Sequence, residues 1–349
     1  MKTFYRYIFF TRAPLQGYFR CDDLFQVYPV QIEGTPDSSI KKHFANFIEF
    51  YTTEEDNVKL ETPYPEMDDI ISRNAPPIIK QDMFLSILTT GTNHLFFRYE
   101  DFTGFWGISV FSENSEDYAG LSSKWCFPFY GSDELVGTNV IHEFSELHME
   151  PVERVRHTGY FFGGISPDKE YSRAITIPTN LKAFIEAYFL LRPDDRIIIN
   201  NAMLHLKNGV ELRDAKKTLA LLSLFTCLET MVDLETKGFD PKRCESCNQL
   251  VFSISKRFRD FLTKYVSSHK TNKRKFNDLY SLRSKIVHTG KTLKSERLFA
   301  EIPQEERKSE ELQVIEVAQI CRVAITNWVI KNAKEDLAER AKLSNSEGQ

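Results

Sequence analysis

Long hydrophobic runs are absent from this chain of 349 residues. No apolar stretch approaches the roughly 20 residues that a membrane-spanning helix needs, so a membrane is not an expected partner. The aromatic N-terminus is interrupted by Arg6 and Arg12 and lacks a small-residue cleavage site, which argues against a secretory signal peptide. Together with the scarcity of cysteine, these absences predict a cytoplasmic protein.

Cysteine is scarce, and the six residues are too scattered for a disulfide scaffold, which favours a reducing compartment. Cys244 and Cys247 form a single Cys-x2-Cys pair, which supplies only two of the four ligands of a structural zinc site. Completing the site would need His269, Cys227 or the same pair from a second copy. We interpret the pair as two reduced thiols in a loop, with zinc as the alternative, and we expect no cofactor.

The metallopeptidase His-Glu-x-x-His pattern is also lacking. The segment HEFSELH, residues 142–148, separates its two histidines by six positions, which does not place both on one face of a helix. We therefore predict that this segment is a surface loop or a strand.

Proline is rare in the C-terminal half, since twelve of the fourteen prolines lie at or before Pro193. The first half instead carries short aromatic and β-branched runs such as TFYRYIFF, with a few helices, for instance over 41–51 and 80–90. Helical periodicity dominates from Asp194 onward. We predict an α+β protein with a β-rich N-terminal domain over 1–180, an all-α bundle over 181–340 and a disordered tail over 341–349.

Positive charge is concentrated in one stretch of an acidic chain. Eleven Lys or Arg and two acidic residues lie between Lys256 and Lys291, a net charge of +9, whereas the whole chain carries −4 and the remainder therefore −13. Such segregation is typical of a surface that binds a polyanion. The alternative is a solvated helix face with a flexible basic loop over 270–275.

One helix is predicted to be apolar almost all round, from Leu219 to Leu234, which is typical of a buried helix at the centre of a bundle. It contains Glu229. A buried carboxylate needs a charged or hydrogen-bonded partner, because leaving it unpaired costs several kcal/mol. The alternative places Glu229 on one solvated stripe of the helix beside Asp233.

The segment FNDLYSLRSKIVHTGK, residues 276–291, is predicted to be a helix with an apolar stripe that ends at Gly290. Arg283 offers a permanent, fork-shaped cation suited to a phosphate that carries developing charge. His288 offers an imidazole, the side chain best suited to acid–base chemistry near neutral pH. The structural alternatives are an ion pair between Arg283 and Glu229 and a helix-capping role for His288.

These two segments resemble a known family. YSLRSKIVHTGK resembles the signature of Apea-like HEPN domains, in which an Arg and a His are separated by four residues in a helix that ends at Gly. LLSLFTCLETMV, which contains Glu229, resembles the apolar upstream helix of the same family with its acidic residue. The resemblance covers about 194–338. Many members carry Asn, Asp or His directly after the Arg, where this chain has Ser284, whose hydroxyl can also hydrogen-bond a phosphate.

The resemblance implies a HEPN-type helical bundle that forms a homodimer and cuts RNA without a metal. Arg283 would stabilise the transition state, His288 would act as general acid or base, and Glu229 would orient Arg283. The residues expected to contact RNA are polar or basic and lie on or before the same helix: Ser284, Lys285, Lys270, Lys273, Arg274 and Lys275.

The first 180 residues resemble, more loosely, the β-rich regions that accompany such domains in bacterial anti-phage proteins. This implies a toxin-like or anti-phage effector whose N-terminal domain senses a phage-derived trigger or restrains the nuclease. The alternative is a non-catalytic HEPN module that binds RNA or a protein partner through the same basic face. A third interpretation is an interaction protein stapled by zinc.

Overall fold

The computed structural model describes residues 1–30, 44–56, 65–98, 139–163, 173–238, 254–297 and 301–346. The chain divides into two compact units, of which the first contains Met1–Leu88, His94–Val155 and Asp168–Thr179. The second contains Thr89–Asn93, Arg156–Pro167 and Asn180–Gln349. A β-rich region is followed by a helical region, so the predicted α+β class is confirmed.

An antiparallel sheet forms the centre of the first unit. Its strands are β1 (Thr3–Thr11), β2 (Phe19–Cys21), β3 (Phe25–Pro29), β4 (Phe44–Thr52), β5 (Phe96–Phe97) and β6 (Val140–Ile141). Their order is β2-β3-β4-β1-β5, and β6 also pairs with β1. A separate parallel pair joins β7 (Arg154–Val155) and β8 (Ile177–Pro178).

The helix predicted over 41–51 is wrong, because this stretch contributes the strand β4 from Phe44 onward. β4 pairs along its whole length with β1 and also pairs with β3. Most of its residues are buried on both faces. A strand buried on both faces shows no alternation of polar and apolar residues, so periodicity alone cannot separate it from a buried helix.

Helix α1 (Pro65–Gly91) contains the helix predicted over 80–90. The ring of Phe84 lies 4.5 Å from the ring of Phe25 and 5.7 Å from that of Phe50, measured between centroids. All three side chains are fully buried. The core of the first unit therefore lies between α1 and one face of the sheet.

The second unit is built from α2 (Leu181–Leu190), α3 (Pro193–Leu212), α4 (Lys217–Glu235), α5 (Ile254–Tyr265), α6 (Lys270–Thr289) and α7 (Gln304–Ser346). α4 packs against both α3 and α7 and is the central helix. A Cβ added at Gly209 would lie 2.6 Å from Cγ of Leu224, so the absence of a side chain on α3 permits its close approach to α4.

α7 extends through Ser346 and therefore into the stretch over which a disordered tail is expected. Ala, Leu, Glu, Lys and Arg predominate in DLAERAKL, residues 336–343, and all favour helix, which explains the continuation. Residues 347–349 lie outside the described part of the chain. Within that part, no helix has the length and apolar character needed to cross a membrane.

Candidate functional site

The three residues predicted to form the catalytic site come from two helices of the second unit. Glu229 lies on α4, and Arg283 and His288 lie on α6. Phe276, Leu279 and Ile286 anchor the buried face of α6, whereas Val287, expected on the same apolar stripe, is 42% exposed. α6 thus presents its last turn, with His288, to solvent.

Gly290 ends α6 as the sequence predicts. It adopts φ 63° and ψ 23°, in the left-handed region that favours glycine, and its backbone N–H donates to the carbonyl oxygen of Lys285. The hydroxyl of Thr289 donates to the same oxygen at 2.6 Å. These two bonds fix the last turn of the helix and therefore the backbone of His288.

The guanidinium of Arg283 connects the other two side chains. Its Nη2 donates to Oε2 of Glu229 at 3.0 Å, and its Nε lies 2.5 Å from Oε1 of the same carboxylate. The second contact is an ion pair without hydrogen-bond geometry. Nη1 of Arg283 lies 3.2 Å from Nε2 of His288. Because a guanidinium only donates, a hydrogen bond between these two nitrogens requires Nε2 of His288 to accept, which is the tautomer with the ring proton on Nδ1.

Solvent reaches this group of residues. The side chain of Arg283 is 17% exposed and that of Glu229 is 27% exposed, and His288 is exposed. Glu229 is therefore half-buried rather than buried at the centre of the bundle. His288 is therefore the most accessible of the three residues.

α4 is not apolar all round, contrary to the expectation from its sequence. One stripe of the helix faces solvent and carries Leu219, Leu222, Thr226, Glu229 and Asp233. Leu219 is 46% exposed and Leu222 is 36% exposed. The spacing of three and four residues places all five on one face. The alternative interpretation of Glu229 as part of a solvated stripe is the one that the structure supports.

The expected RNA-binding residues are distributed unequally. Lys270, Lys273, Arg274 and Lys285 are exposed and Ser284 is half-buried. Residues 270–275 form the first turns of α6 and not a flexible loop.

Lys275 lies apart from the other expected RNA-binding residues, because it forms an ion pair with Glu316 on α7. Its side chain is still partly exposed, but this ion pair compensates its positive charge, which the sequence did not predict. Glu316 lies 41 positions after Lys275 in the sequence, so the local sequence pattern could not identify it as the partner.

The candidate zinc ligands Cys244 and Cys247 lie outside the described residues. Of the proposed additional ligands, Cys227 is buried on α4 and His269 is exposed, with Nδ1 2.8 Å from the hydroxyl oxygen of Thr271. Burial raises the pKa of the neighbouring thiol of Cys321 well above its usual range. Within the described part of the chain, no group of three or more His, Cys, Asp or Glu is placed to hold a metal ion.

The loop after His288 is held by two carboxylates that sequence reasoning missed. Glu296 accepts the backbone N–H of Thr218 at 2.9 Å, at the N-terminus of α4, where a negative charge is favourable. Glu310 of α7 accepts the backbone N–H groups of Lys294 at 2.8 Å and Ser295 at 2.9 Å. Burial raises the pKa of Glu310, but the hydrogen bonds outweigh it and the net pKa is lowered.

A polar cluster in the first unit was also missed. Glu49 is fully buried and accepts hydrogen bonds from Arg6 at 2.8 Å, Gln26 at 2.7 Å and Tyr28 at 2.6 Å. Ser145 donates through its backbone N–H at 2.8 Å and its hydroxyl at 2.6 Å. Arg6, Glu49 and Gln26 lie opposite one another in β1, β4 and β3.

The cluster ties the segment HEFSELH to the sheet, because Ser145 is its central residue. The loop predicted for this segment is confirmed beyond Ile141. Burial raises the pKa of Glu49, yet the hydrogen bonds from Ser145, Tyr28 and Arg6 outweigh it, so the net pKa lies below its usual value. Burial and the neighbouring carboxylate raise the pKa of Tyr28. Isolated polar residues within otherwise apolar strands are the sequence signal that could have identified this polar cluster.

Comparison with protein-family models, curated proteins and solved structures finds no match to this chain. The resemblance to HEPN domains therefore depends on the residues of α4 and α6 alone.

Proposed function

We propose that this protein is a metal-independent endoribonuclease whose site contains Arg283, His288 and Glu229. The observation that carries the proposal is the position of the Arg283 guanidinium, bonded to the Glu229 carboxylate on one side and to the His288 imidazole on the other. An oriented permanent cation beside an exposed imidazole suits phosphoryl transfer. The resemblance of both helices to HEPN elements supports the same reaction.

The nucleophile in this proposal is the 2′-hydroxyl of the RNA. His288 accepts its proton at Nε2 while the 2′ oxygen bonds to phosphorus, and the bond from phosphorus to the 5′ oxygen breaks. Arg283 turns its free N–H groups to the non-bridging oxygens, where charge develops. The products are a 2′,3′-cyclic phosphate and a 5′-hydroxyl, which gains a proton.

A homodimer completes the site in this proposal, since each chain offers one imidazole here and the reaction uses both a base and an acid. The exposed apolar residues next to the site support such an association. Leu219 and Leu222 share their stripe of α4 with Glu229, and the neighbouring α3 exposes Ile197 (61%) and Leu204 (48%). Apolar side chains exposed on two packed helices are typical of a surface that binds another chain.

Comparing RNA with DNA of matching sequence tests the reaction, because only RNA carries the 2′-hydroxyl. We expect the wild-type chain to cut single-stranded RNA and not DNA, and mass spectrometry to identify a cyclic phosphate or its hydrolysed form at the new 3′ end. His288→Ala should not cut. His157→Ala, which changes an exposed histidine elsewhere in the second unit, is the matched control and should cut normally. A 5′-phosphate on the new fragment would contradict the mechanism.

A non-catalytic RNA-binding module is the second candidate function. The observation in its favour is that Glu229 neutralises Arg283, and that Arg283 in turn occupies Nε2 of His288. In that case the ion pair is structural, and the protein binds RNA without cutting it. RNA binding by a wild-type chain that leaves the RNA intact would identify this function.

The proposed biological role depends on the resemblance of α4 and α6 to HEPN elements and on the looser likeness of the first 180 residues to regions that accompany such domains. We propose a cytoplasmic toxin-like or anti-phage effector whose β-rich first unit responds to a phage-derived trigger. The free thiols of Cys21, Cys227 and Cys321 suit a reducing compartment. Expression in a bacterial host tests the role: the wild-type chain should inhibit growth, and His288→Ala should not.

A further inference from the structure

One face of α6 carries polar donors over its whole length and leads to His288. Its members are spaced three and four positions apart, and all are exposed or, for Ser284, half-buried: Lys270, Lys273, Arg274, Asn277, Ser281 and Ser284. Residues at this spacing share one face of a helix. We call these six residues, with His288 at their end, the donor stripe.

The donor stripe is long, straight and free of acidic and apolar side chains. From Lys270 to His288 it spans about 27 Å, because an α-helix rises about 1.5 Å per residue. It presents a donor group at roughly every turn of about 5.4 Å. Asn277 is further fixed by a hydrogen bond of 2.7 Å from Nη1 of Arg259 on α5, which adds a cation beside the stripe.

Among the residues that the structure describes, the cations at the start of the donor stripe form no ion pair, unlike two of their neighbours. Lys264 lies 2.5 Å from Glu235, and Lys275 pairs with Glu316. Lys270, Lys273 and Arg274 have no ion-pair partner among the residues that the structure describes. They also lie in the first turns of α6, where the helix dipole adds partial positive charge and acidic residues are absent. Positive charge there is uncompensated.

We propose that the donor stripe binds single-stranded RNA in a fixed register, about five to eight nucleotides of it, between the cations at Lys270–Arg274 and the reacting phosphate at His288. This inference depends on the proposed function for the position of the reacting phosphate. A stacked strand that rises about 3.4 Å per nucleotide spans the stripe with about eight nucleotides, and a more extended strand needs fewer.

The shape of the stripe favours a single strand over a duplex. It is one helix wide, whereas proteins that recognise duplex RNA by shape contact two successive minor grooves. It also contains no aromatic side chain on which a base could stack, so it reads the backbone and not the sequence. Binding should accordingly depend on length and salt and only weakly on base composition.

The test measures binding of uncleavable RNA, so that it does not need catalysis. Fluorescent 2′-O-methyl oligonucleotides of increasing length are titrated with the full-length chain and followed by anisotropy. The affinity should rise with length and reach a plateau near the length of the stripe, about eight nucleotides. Deoxyribo-oligonucleotides of equal length should bind similarly, since the contacts are to phosphate.

The triple variant Lys270→Ala, Lys273→Ala, Arg274→Ala removes the uncompensated cations. It should bind the longest oligonucleotide about tenfold to a hundredfold more weakly at 0.1 M salt, with a salt slope reduced by about 2, since each contact with a single strand contributes about 0.7. The matched control neutralises three exposed cations elsewhere in the second unit, Lys216→Ala, Arg307→Ala and Lys334→Ala. The control should bind within about twofold of wild type.

The register is overturned by a triple variant that binds like its control, or by an affinity that does not depend on length. Equal binding of a polyglutamate peptide would show that the stripe attracts acidic chains in general, and would overturn it as well. Thermal unfolding by circular dichroism checks that both triple variants fold. If the wild-type chain binds RNA in a length-dependent way but never cuts it, only the proposed reaction is contradicted. If the triple variant cuts RNA and its affinity is unchanged, only the register is contradicted.

Discussion

Nη1 of Arg283 and Nε2 of His288 lie 3.2 Å apart at the end of α6. The contact spans five positions, one more than a regular helical turn brings together, and it is possible because the long arginine side chain reaches along the helix. It places a group that can only donate beside a nitrogen that must accept. The entry of a phosphate between them is the event on which the proposed reaction depends.

Substituting either residue should abolish cleavage and leave the fold intact. His288→Ala removes the proton acceptor, and loss of a general acid or base costs on the order of 10²–10⁴ in rate. Arg283→Lys should be nearly as damaging, because an ammonium cannot bond Glu229 and the phosphate through a planar fork. RNA cleavage rates and thermal unfolding are measured together, with His157→Ala as control. Wild-type cleavage by Arg283→Lys would contradict the role of the fork.

Glu229 should matter for stability as well as for rate, since it is the only carboxylate bonded to Arg283 among the described residues. Glu229→Ala should lower the free energy of unfolding by roughly 1–3 kcal/mol, the range for hydrogen bonds to charged groups, because both side chains are only half-buried. Urea denaturation measures this. Asp233→Ala, one turn further along the same exposed stripe, is the control and should change stability by less than about 0.5 kcal/mol.

The sequence predicted those parts of this site whose residues lie close together along the chain. Arg283 and His288 lie within one helix, which Gly290 ends, so the helical period and the glycine signal predicted their arrangement. Glu229 could be paired with Arg283 because an acidic residue in an apolar helix needs a partner. The partner of Lys275 on α7 could not be predicted, since nothing in the local pattern identifies Glu316.

The first unit was harder to predict, again for a physical reason. β4 is buried on both faces, so it lacks the alternation that identifies a half-buried strand. The pairing of Glu49 with Arg6 and Gln26 depends on the register of three strands, which sequence does not specify for residues so far apart. Ser145 comes from a separate segment, and its contact with Glu49 appears only in the folded chain.

Loss of the Glu49 cluster should destabilise the first unit. Glu49→Ala leaves Arg6, Gln26 and Tyr28 without their shared acceptor and should cost about 2–4 kcal/mol, less than a fully buried pair because Arg6 is partly exposed. The pKa of Glu49 is lowered on folding, so its contribution is present above the unfolded pKa of about 4.3 and is lost as pH falls through the folded value.

Urea denaturation at neutral pH and at acidic pH measures the effect of Glu49. The difference in stability between wild type and Glu49→Gln should narrow as the pH falls from the unfolded pKa of about 4.3 towards the lower folded pKa, because the unfolded chain binds the proton first. Glu146→Ala, in the same segment as Ser145 but exposed, should show no such pH dependence. A difference that stays constant with pH would show that the ionised form of Glu49 is unimportant.

The exposed leucines of α4 should control association. Leu222→Glu places a charge in the surface that we propose a second copy covers, so it should convert a dimer to a monomer in light scattering and reduce cleavage in parallel. Leu312→Glu changes an exposed leucine on a different helix, α7, and is the control. A monomeric wild-type chain with full nuclease activity would contradict the composite site.

Chelation of divalent metal provides the last prediction. Two-metal nucleases hold their ions with several carboxylates, whereas Glu229, the carboxylate at this site, is already bonded to Arg283. Cleavage should therefore proceed in EDTA at the same rate as in Mg²⁺. If Cys244 and Cys247 hold a structural zinc, EDTA has a second effect, because it removes that zinc.

The two effects separate in one experiment. A structural zinc would lower the unfolding temperature on chelation, and Cys244→Ser with Cys247→Ser would reproduce that loss without EDTA. If a metal were catalytic, its chelation would stop cleavage while the unfolding temperature stayed constant. Added Mg²⁺ would then restore cleavage. We expect chelation to leave cleavage unchanged, because the site needs no metal. The RNA supplies the nucleophile, His288 accepts its proton and Arg283 supplies the stabilising charge. Cleavage that stops on chelation in a still-folded chain would rule the mechanism out.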